Sequence, residues 1–224
     1  MPLAIFDIDG TLVDSRYMIQ AAMERAFHAE GLIPPAYDQT RKIVGLSLET
    51  AIDRLAPRDL KSSRLTQLVE AYKNAFIAMR QAGEESEPLY DGASDLLATL
   101  KSGGWQLGVA TGKSRRGLDA VMKRERWFDV FDCSFCADDG PGKPHPHMVN
   151  ANLNALSVNP QNAAIIGDTH FDMSMGKAAG VHAIGVDWGF HSFDEVKAGG
   201  ADIMVSTMTE LSGALNNFAK ARAA

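Results

Sequence analysis

Short apolar runs recur along the chain, and segments with helical spacing lie between most of them. Apolar runs of this length predict buried strands. The predicted strands are Leu3–Phe6, Leu107–Ala110, Ala163–Ile166, His182–Val186 and Ile203–Val205. Helices are predicted over Gly117–Arg126, His147–Leu156 and Met173–Ala179. Because strands and helices alternate, we expect an α/β fold with a mostly parallel sheet and helices on both of its faces.

The segment from Ser15 to about Glu85 breaks this alternation, because it contains no convincing strand. Within it, Tyr17–Glu30 and Leu65–Arg80 have the spacing of amphipathic helices. Roughly seventy helical residues between two strands exceed an ordinary crossover connection. We therefore predict an inserted α-helical cap over residues 15–87 and an α/β core formed by residues 1–14 and 88–224. The alternative is a helical excursion that only packs on the sheet.

The composition is typical of a folded globular protein, with 46% hydrophobic and 22% charged residues in a chain of 224. The formal net charge of −6 argues against nucleic acid as a partner, because nucleic-acid binding favours a basic surface. The two cysteines exclude a disulfide framework and favour a cytoplasmic location. We find no secretory signal and no apolar stretch long enough to cross a bilayer, so we expect no membrane partner.

Two carboxylates, Asp7 and Asp9, stand two residues apart at the end of the first predicted strand. In an extended chain this spacing points both side chains to the same side. One carboxylate can attack phosphorus while the other holds the proton for the leaving oxygen. Gly10 then allows a sharp turn. The alternative is an ordinary turn or a fragment of a calcium loop, although Arg16 and the residues after it do not continue that pattern.

Two later segments offer groups that could hold a phosphate. Thr111 and Gly112 stand between a predicted strand and a helix, where a hydroxyl and backbone N–H groups can meet an anion. A nucleotide-binding P-loop is rejected because Leu107 stands where that motif requires glycine. Lys143 lies in a proline-stiffened loop and can serve as a point charge. Taken alone, each segment could equally be a plain turn or a solvated loop.

Asp168 and Asp172 follow another predicted strand, so four acids stand at the ends of two strands. Gathering these carboxylates is unfavourable unless a cation compensates their repulsion. Hard oxygen ligands of this kind suit Mg²⁺. The alternative is that these acids cap the following helix, which is more plausible for Asp172 than for Asp168.

The four segments together resemble the motifs of the haloacid dehalogenase-like superfamily. The matching residues are Asp7-x-Asp9-Gly-Thr-x-Val-Asp-Ser, Thr111, Lys143-Pro and Gly167-Asp168-x-x-x-Asp172. The late segments 186–189 and 198–202 are similar to phosphoglycolate phosphatase-like members. The resemblance covers nearly the whole chain, is weakest in the cap, and implies a Rossmann-like core.

The resemblance also implies a role for each matching residue. Asp7 would be the nucleophile and a Mg²⁺ ligand, and Asp9 would be the general acid and then base, with its backbone carbonyl on the metal. Asp168 would ligate Mg²⁺, and Asp172 would ligate it or orient a metal-bound water. The predicted phosphate- and substrate-binding residues are Gly10, Thr111, Gly112, Lys143 and Gly45. The implied enzyme is a phosphatase that hydrolyses phosphate monoesters of small metabolites through an aspartyl-phosphate. Its default substrate by resemblance is 2-phosphoglycolate, with sugar phosphates, pyrophosphate or nucleoside monophosphates as alternatives. We expect a monomer or homodimer.

Several residues keep alternatives open. Leu48 stands where phosphomutases of the β-phosphoglucomutase type carry an arginine, which weakens a mutase interpretation without removing it. A non-catalytic phospho-ligand binding module is a third possibility. Residues 45–49 either face the substrate or form an ordinary helix junction. We expect His170 to be a loop residue turned toward the cap or solvent, and Cys133 and Cys136 to be packing residues without a metal.

Overall fold

A parallel sheet forms the centre of the computed structural model, which describes residues 1–84 and 87–223. Its described strands are β1 (Leu3–Phe6), β2 (Gln106–Thr111), β3 (Cys133–Cys136), β4 (Ala163–Gly167), β5 (His182–Val186) and β6 (Ile203–Val205). Their order in the sheet is β3-β2-β1-β4-β5-β6, and every neighbouring pair is parallel. The predicted α/β fold is confirmed.

The first strand occupies the middle of the sheet. Leu3 pairs with Gln106 of β2 on one side and with Ala163 of β4 on the other. All four residues of β1 are buried, as expected for a strand covered by helices on both faces. This position brings the carboxyl end of β1 between those of β2 and β4.

One strand was not predicted. The segment Cys133–Cys136 forms β3 at the edge of the sheet, whereas we expected only packing residues there. Its sequence, Cys-Ser-Phe-Cys, is short, and three of its four residues are only half-buried. Such an edge strand lacks the continuous apolar run by which the other five strands were recognised.

Helices cover both faces of this sheet. They are α5 (Ala93–Ser102), α6 (Arg115–Glu125), α7 (His147–Leu156), α8 (His170–Ala179), α9 (Phe193–Ala198) and α10 (Met208–Ala223). Along β1, Ala4 and Phe6 join the hydrophobic cluster on one face, and Leu3 and Ile5 join the cluster on the other. This alternation is the period of two expected of a strand.

Four helices lie in the described part of the chain between β1 and α5: α1 (Arg16–Ala29), α2 (Tyr37–Arg41), α3 (Leu48–Leu55) and α4 (Ser62–Gln81). α1 packs along α4, and both contribute to a hydrophobic cluster separate from the two on the sheet. The described part of residues 15–87 contains helices and their connections but no strand. The boundaries of the cap remain a prediction. No helix of the described chain combines the length and apolar character needed to span a bilayer.

Candidate active site

The carboxyl ends of three neighbouring strands bring the predicted chemical groups to one edge of the sheet. Asp7 follows β1, Thr111 ends β2 and Asp168 follows β4. Sites in parallel sheets form at this edge because the strand ends and helix starts meet there. The backbone N–H of Asp7 donates to the carbonyl of Ile166 at 2.9 Å, so the pairing of β1 with β4 continues to the site.

Gly10 is required by the close approach of Asp168. Its φ is +81°, and a Cβ atom there would stand 2.1 Å from Oδ2 of Asp168. Asp168 is fully buried and accepts hydrogen bonds from the Thr11 hydroxyl (3.0 Å) and the Phe190 N–H (2.8 Å). The turn after β1 is thereby fixed against the end of β4.

Asp172 serves two structural purposes at once. Its Oδ2 accepts hydrogen bonds from the hydroxyl (2.6 Å) and the N–H (3.1 Å) of Thr169, forming a capping box at the start of α8. Its Oδ1 lies 2.6 Å from Nζ of Lys143. The helix cap considered in the sequence is therefore present, and the same carboxylate also faces the site. This cap also explains why α8 begins three residues before the predicted Met173.

Lys143 lies fully buried between two acids. Its Nζ is 2.9 Å from Oδ2 of Asp7 and 2.6 Å from Oδ1 of Asp172. Burial lowers the pKa of the ammonium, but the Asp172 and Asp7 charges outweigh burial and raise that pKa above its ordinary value. Lys143 is therefore a permanent positive charge beside Asp7.

The three acids carry more negative charge than this lysine can compensate. One carboxylate oxygen each of Asp7, Asp168 and Asp172 lies within 4.8 Å of the others. Burial raises the pKa of Asp7 to about 7, against the opposing effect of Lys143. Burial and the Asp7 and Asp172 charges likewise raise the pKa of Asp168. Among the described residues, none donates a hydrogen bond to the buried Oδ1 of Asp7. A hard divalent cation fits this donor set.

Asp9 is held by Lys113, a lysine to which the sequence motifs gave no role. Nζ of Lys113 lies 2.9 Å from Oδ1 of Asp9 and 3.5 Å from Oε1 of Glu87. Burial lowers the pKa of Lys113, but the charges of Asp9 and Glu87 outweigh burial and raise that pKa above its ordinary value, so the lysine stays charged. The side chain of Asp9 thus lies apart from the cluster of Asp7, Asp168 and Asp172. A lysine two residues after Thr111 was the one available signal.

Glu87 joins the ion pair of Lys113 and Asp9 to two further cations. Its buried carboxylate also contacts Arg80 at 2.7 Å and Arg124 at 3.3 Å. Burial raises the pKa of Glu87, but Lys113, Arg80 and Arg124 together lower it to about 2. The ionised Glu87 therefore connects α4, α6 and the turn after β2.

Thr111 and Gly112 line the same cavity as Asp7 and Asp9, the two acids that follow β1. A Cβ atom on Gly112 would stand 2.6 Å from the carbonyl oxygens of both Gly45 and Leu46. Gly45 has a φ of +99° and packs close to Thr169. Glycine at both positions allows the loop before α3 to approach the core. The two glycines, Thr111, Asp7 and Asp9 all line one cavity of about 350 Å³.

We expected His170 to be a loop residue, but the structure places it in a helix. It is the first residue of α8, and its ring lies 3.9 Å from the Phe171 ring and 4.9 Å from the His191 ring, between ring centres. The capping box at Thr169 draws it into the helix. Burial lowers the pKa of His170, as it does that of His191, so both rings are neutral near pH 7.

The two cysteines are packing residues in the structure. Cys136 is fully buried in the sheet, and the thiol of Cys133 donates to Oδ1 of Asn152 at 3.0 Å. Burial raises the pKa of each thiol to about 11. Neither thiol is therefore a ready metal ligand or nucleophile.

Fold, strand-end acids and buried lysine define a hydrolase of the haloacid dehalogenase-like type. The family model for haloacid dehalogenase-like hydrolases matches residues 4–186, and the chain belongs to this family. The superfamily resemblance stated from the sequence motifs is confirmed.

Individual relatives agree with this membership. The chain is 34% identical to "Probable phosphatase IndB" of Dickeya dadantii, over 98% of this chain and 95% of the relative. It is 27% identical to pyrophosphatase PpaX of Anoxybacillus flavithermus, over 92% and 93%. A phosphoglycolate phosphatase-like protein from Lactobacillus delbrueckii shares the fold with a TM-score of 0.84 at 23% identity, covering 96% and 99%. These names agree with the predicted class of phosphoric monoester hydrolase.

Proposed function

We propose that this chain is a Mg²⁺-dependent phosphatase that hydrolyses phosphate monoesters of small metabolites through an aspartyl-phosphate on Asp7. One observation carries the proposal: buried Asp7 lies against Lys143 and within 4.8 Å of Asp168 and Asp172, at the bottom of a cavity. The phosphatase and pyrophosphatase names of the relatives support it. The small number of cysteines supports action in the cytoplasm, and we propose a monomer or homodimer.

In the first step, a carboxylate oxygen of Asp7 forms a bond to phosphorus, and the bond from phosphorus to the leaving oxygen breaks. Asp9 enters this step protonated and donates its proton to that oxygen, so an alcohol leaves and the Asp9 carboxylate remains beside Lys113. Lys143 compensates the charge on Asp7 and on the phosphoryl oxygens. Thr111 and Gly112, at the end of β2, hold those oxygens from the other side.

In the second step, a water molecule attacks the phosphorus of the aspartyl-phosphate. Its oxygen forms the new bond, the bond to Asp7 breaks, and Asp9 accepts the proton of the water. Inorganic phosphate leaves and Asp7 is restored. Lys113 positions Asp9 for both transfers, because it lies 2.9 Å from the carboxylate that moves the proton.

Mg²⁺ fits the carboxylates of Asp7, Asp168 and Asp172, and the family resemblance adds the backbone carbonyl of Asp9. The fit rests on the unmatched negative charge of the cluster and on the buried Oδ1 of Asp7. When bound, the ion supplies compensation for the charge of the phosphoryl oxygens. The hydroxyl of Thr169 donates to Oδ2 of Asp172 at 2.6 Å and so orients the carboxylate that would hold the ion.

Hydrolysis is favoured over phosphoryl transfer between two positions of one substrate. Leu48, where a mutase of this superfamily would carry a cation, lies at the start of α3 and lines the cavity. A second phosphate would meet an apolar side chain there.

The test measures phosphate release from a panel of phosphorylated metabolites, with 2-phosphoglycolate as the reference substrate. We expect turnover with Mg²⁺, none in EDTA, and recovery on adding Mg²⁺ again. Asp7→Asn should abolish turnover and leave the folded structure intact, because only the nucleophile changes. The exposed Asp59→Asn is the matched control and should retain full activity. Hydrolysis by the Asp7→Asn variant, or in EDTA, would overturn the mechanism.

A further inference from the structure

The cavity above Asp7 has a polar floor and an apolar wall. Asp7, Asp9 and Thr111 form the floor. The wall comes from the helical segment, where α1, α4 and the loop before α3 contribute mostly apolar side chains. These are Ile19, Met23, Ile43, Leu46, Tyr72 and Phe76. A phosphoryl group on the floor therefore places the rest of its substrate against hydrocarbon and aromatic rings.

The aromatic part of this wall lies beside the residue that protonates the leaving oxygen. Nζ of Lys113 is 2.9 Å from Asp9 and 5.8 Å from the centre of the Phe76 ring. The Tyr72 ring lies 6.0 Å from the Phe76 ring, between centres. The group attached to the leaving oxygen emerges at Asp9, so it meets these two rings first.

Three of the described cations that line the cavity are paired with acids of the chain, namely Lys73, Arg80 and Lys113. Lys113 contacts Asp9 and Glu87, and Lys73 lies 2.9 Å from Glu70 and 3.7 Å from Glu49. Arg116 also borders the cavity, but it is exposed, where water weakens its attraction for an anion.

Two acids, Glu49 and Asp138, also line the cavity, and both are exposed, so water weakens their repulsion of an anion as it weakens the attraction of Arg116. A carboxylate or second phosphate on the substrate would lose water against the apolar wall. Burying such a charge without a partner is unfavourable.

The size of the cavity also exceeds that of a two-carbon acid. A cavity of about 150 Å³ is enough to hold benzene. The cavity here measures about 350 Å³, which accommodates a ring together with a phosphoryl group.

We propose that the substrate is a phosphate monoester of an uncharged alcohol that carries a planar ring, and that the ring lies against Tyr72 and Phe76. This inference rests on the proposed phosphatase function and narrows its substrate class. It places 2-phosphoglycolate and pyrophosphate, which carry a second anionic group, among the poor substrates. The ring contributes to binding by stacking, while Asp7, Asp9 and Lys143 perform the same chemistry on any ester.

Benzyl phosphate and 2-phosphoglycolate form a matched pair for the test. Both contain a CH₂–O–P linkage, and they differ in whether the carbon carries a phenyl ring or a carboxylate. We expect kcat/KM with Mg²⁺ to be higher for benzyl phosphate by up to about tenfold, since an aromatic contact contributes up to about that factor. Equal or higher kcat/KM for 2-phosphoglycolate or pyrophosphate overturns this inference while the phosphatase function stands. Absence of phosphate release from every ester overturns both.

A variant of the wall tests the contact itself. In Phe76→Ala the ratio of kcat/KM for benzyl phosphate to that for 2-phosphoglycolate should fall about tenfold, mainly through KM for benzyl phosphate. Phe76→Leu, which keeps the packing of α4, should lie between Phe76→Ala and wild type. Phe128→Ala is the control, because that ring is exposed and lies outside the cavity. An unchanged ratio in both Phe76 variants, with cooperative thermal unfolding retained, would refute the role of the ring.

Discussion

Removal of the buried cation beside Asp7 should destabilise the protein by an amount that the structure allows us to anticipate. Lys143 has no exposed side-chain surface and lies within 2.9 Å of Asp7 and 2.6 Å of Asp172. Methionine has an unbranched chain of similar length, so Lys143→Met removes the charge and leaves most of the volume filled. The variant then holds three acids within 4.8 Å of one another without the lysine's compensating charge.

Removing one partner of a buried ion pair costs about 3–5 kcal/mol. For a chain of this size, each kcal/mol lowers the midpoint of thermal unfolding by about 2–4 °C. We therefore expect Lys143→Met to unfold about 6–20 °C below wild type in EDTA at pH 8.

The loss of stability in Lys143→Met should depend on pH, and the pKa of Asp7 determines the direction of that dependence. Burial already raises the pKa of Asp7 to about 7, and loss of the lysine removes an effect that opposes this rise. A carboxyl group with a raised pKa stabilises the folded state below that pKa, and this stabilisation is lost as the pH rises through it. The difference in unfolding temperature between wild type and Lys143→Met should therefore be smaller at pH 5 than at pH 8.

Circular dichroism during heating, at pH 5 and at pH 8, measures the difference in unfolding temperature and its change with pH. Lys123→Met is the matched control, because Lys123 is exposed on α6 and its loss should change the unfolding temperature little. Mg²⁺ should raise the unfolding temperature of Lys143→Met more than that of wild type, since a second cation then meets the acids. An unfolding temperature of Lys143→Met within about 2 °C of wild type in EDTA at pH 8 would refute the reasoning.

Three further predictions concern other parts of the site and the core. Gly112→Ala should lower kcat/KM at least about tenfold in the phosphate-release assay, because its Cβ atom would stand 2.6 Å from two carbonyl oxygens of the loop before α3; Gly213→Ala, with no atom within 4 Å, is the control. Glu87→Gln should lower the free energy of unfolding in urea at pH 7. Because cationic neighbours lower the pKa of Glu87 to about 2 despite its burial, this difference should be complete above pH 4.5 and shrink as the pH falls toward 2. Cys133 and Cys136 should react slowly with a thiol reagent at pH 8 in the native protein and rapidly in urea, since burial raises the pKa of both thiols to about 11.

Much of the sheet could be predicted because its central strands are continuous apolar runs that end in acids. Leu3–Phe6 leads into Asp7, and Ala163–Gly167 leads into Asp168, so the parallel order alone brings these acids to one edge. The edge strand β3 was not predicted because its short sequence, Cys-Ser-Phe-Cys, lacks a continuous apolar run and three of its four residues are only half-buried.

The groups that surround the central acids could not be predicted to the same degree. The contact of Lys113 with Asp9 and Glu87 joins segments far apart in the chain, and no local pattern indicates it. Likewise, the apolar stripe of α4 predicts burial but not that Tyr72 and Phe76 would face a cavity shared with Asp7. The rotation of a helix about its axis depends on tertiary packing, which the stripe alone leaves undetermined.

The hydrogen bond from Thr11 to Asp168 joins residues 157 positions apart, and it has a consequence for the order of events during folding. Closing a loop of this length costs more conformational entropy than forming a local helix, so we expect the contact to form after the helices. A refolding chain should therefore regain its helical signal before it regains hydrolysis. During synthesis, the cluster of Asp7, Asp168 and Asp172 cannot assemble until Asp172 has left the ribosome.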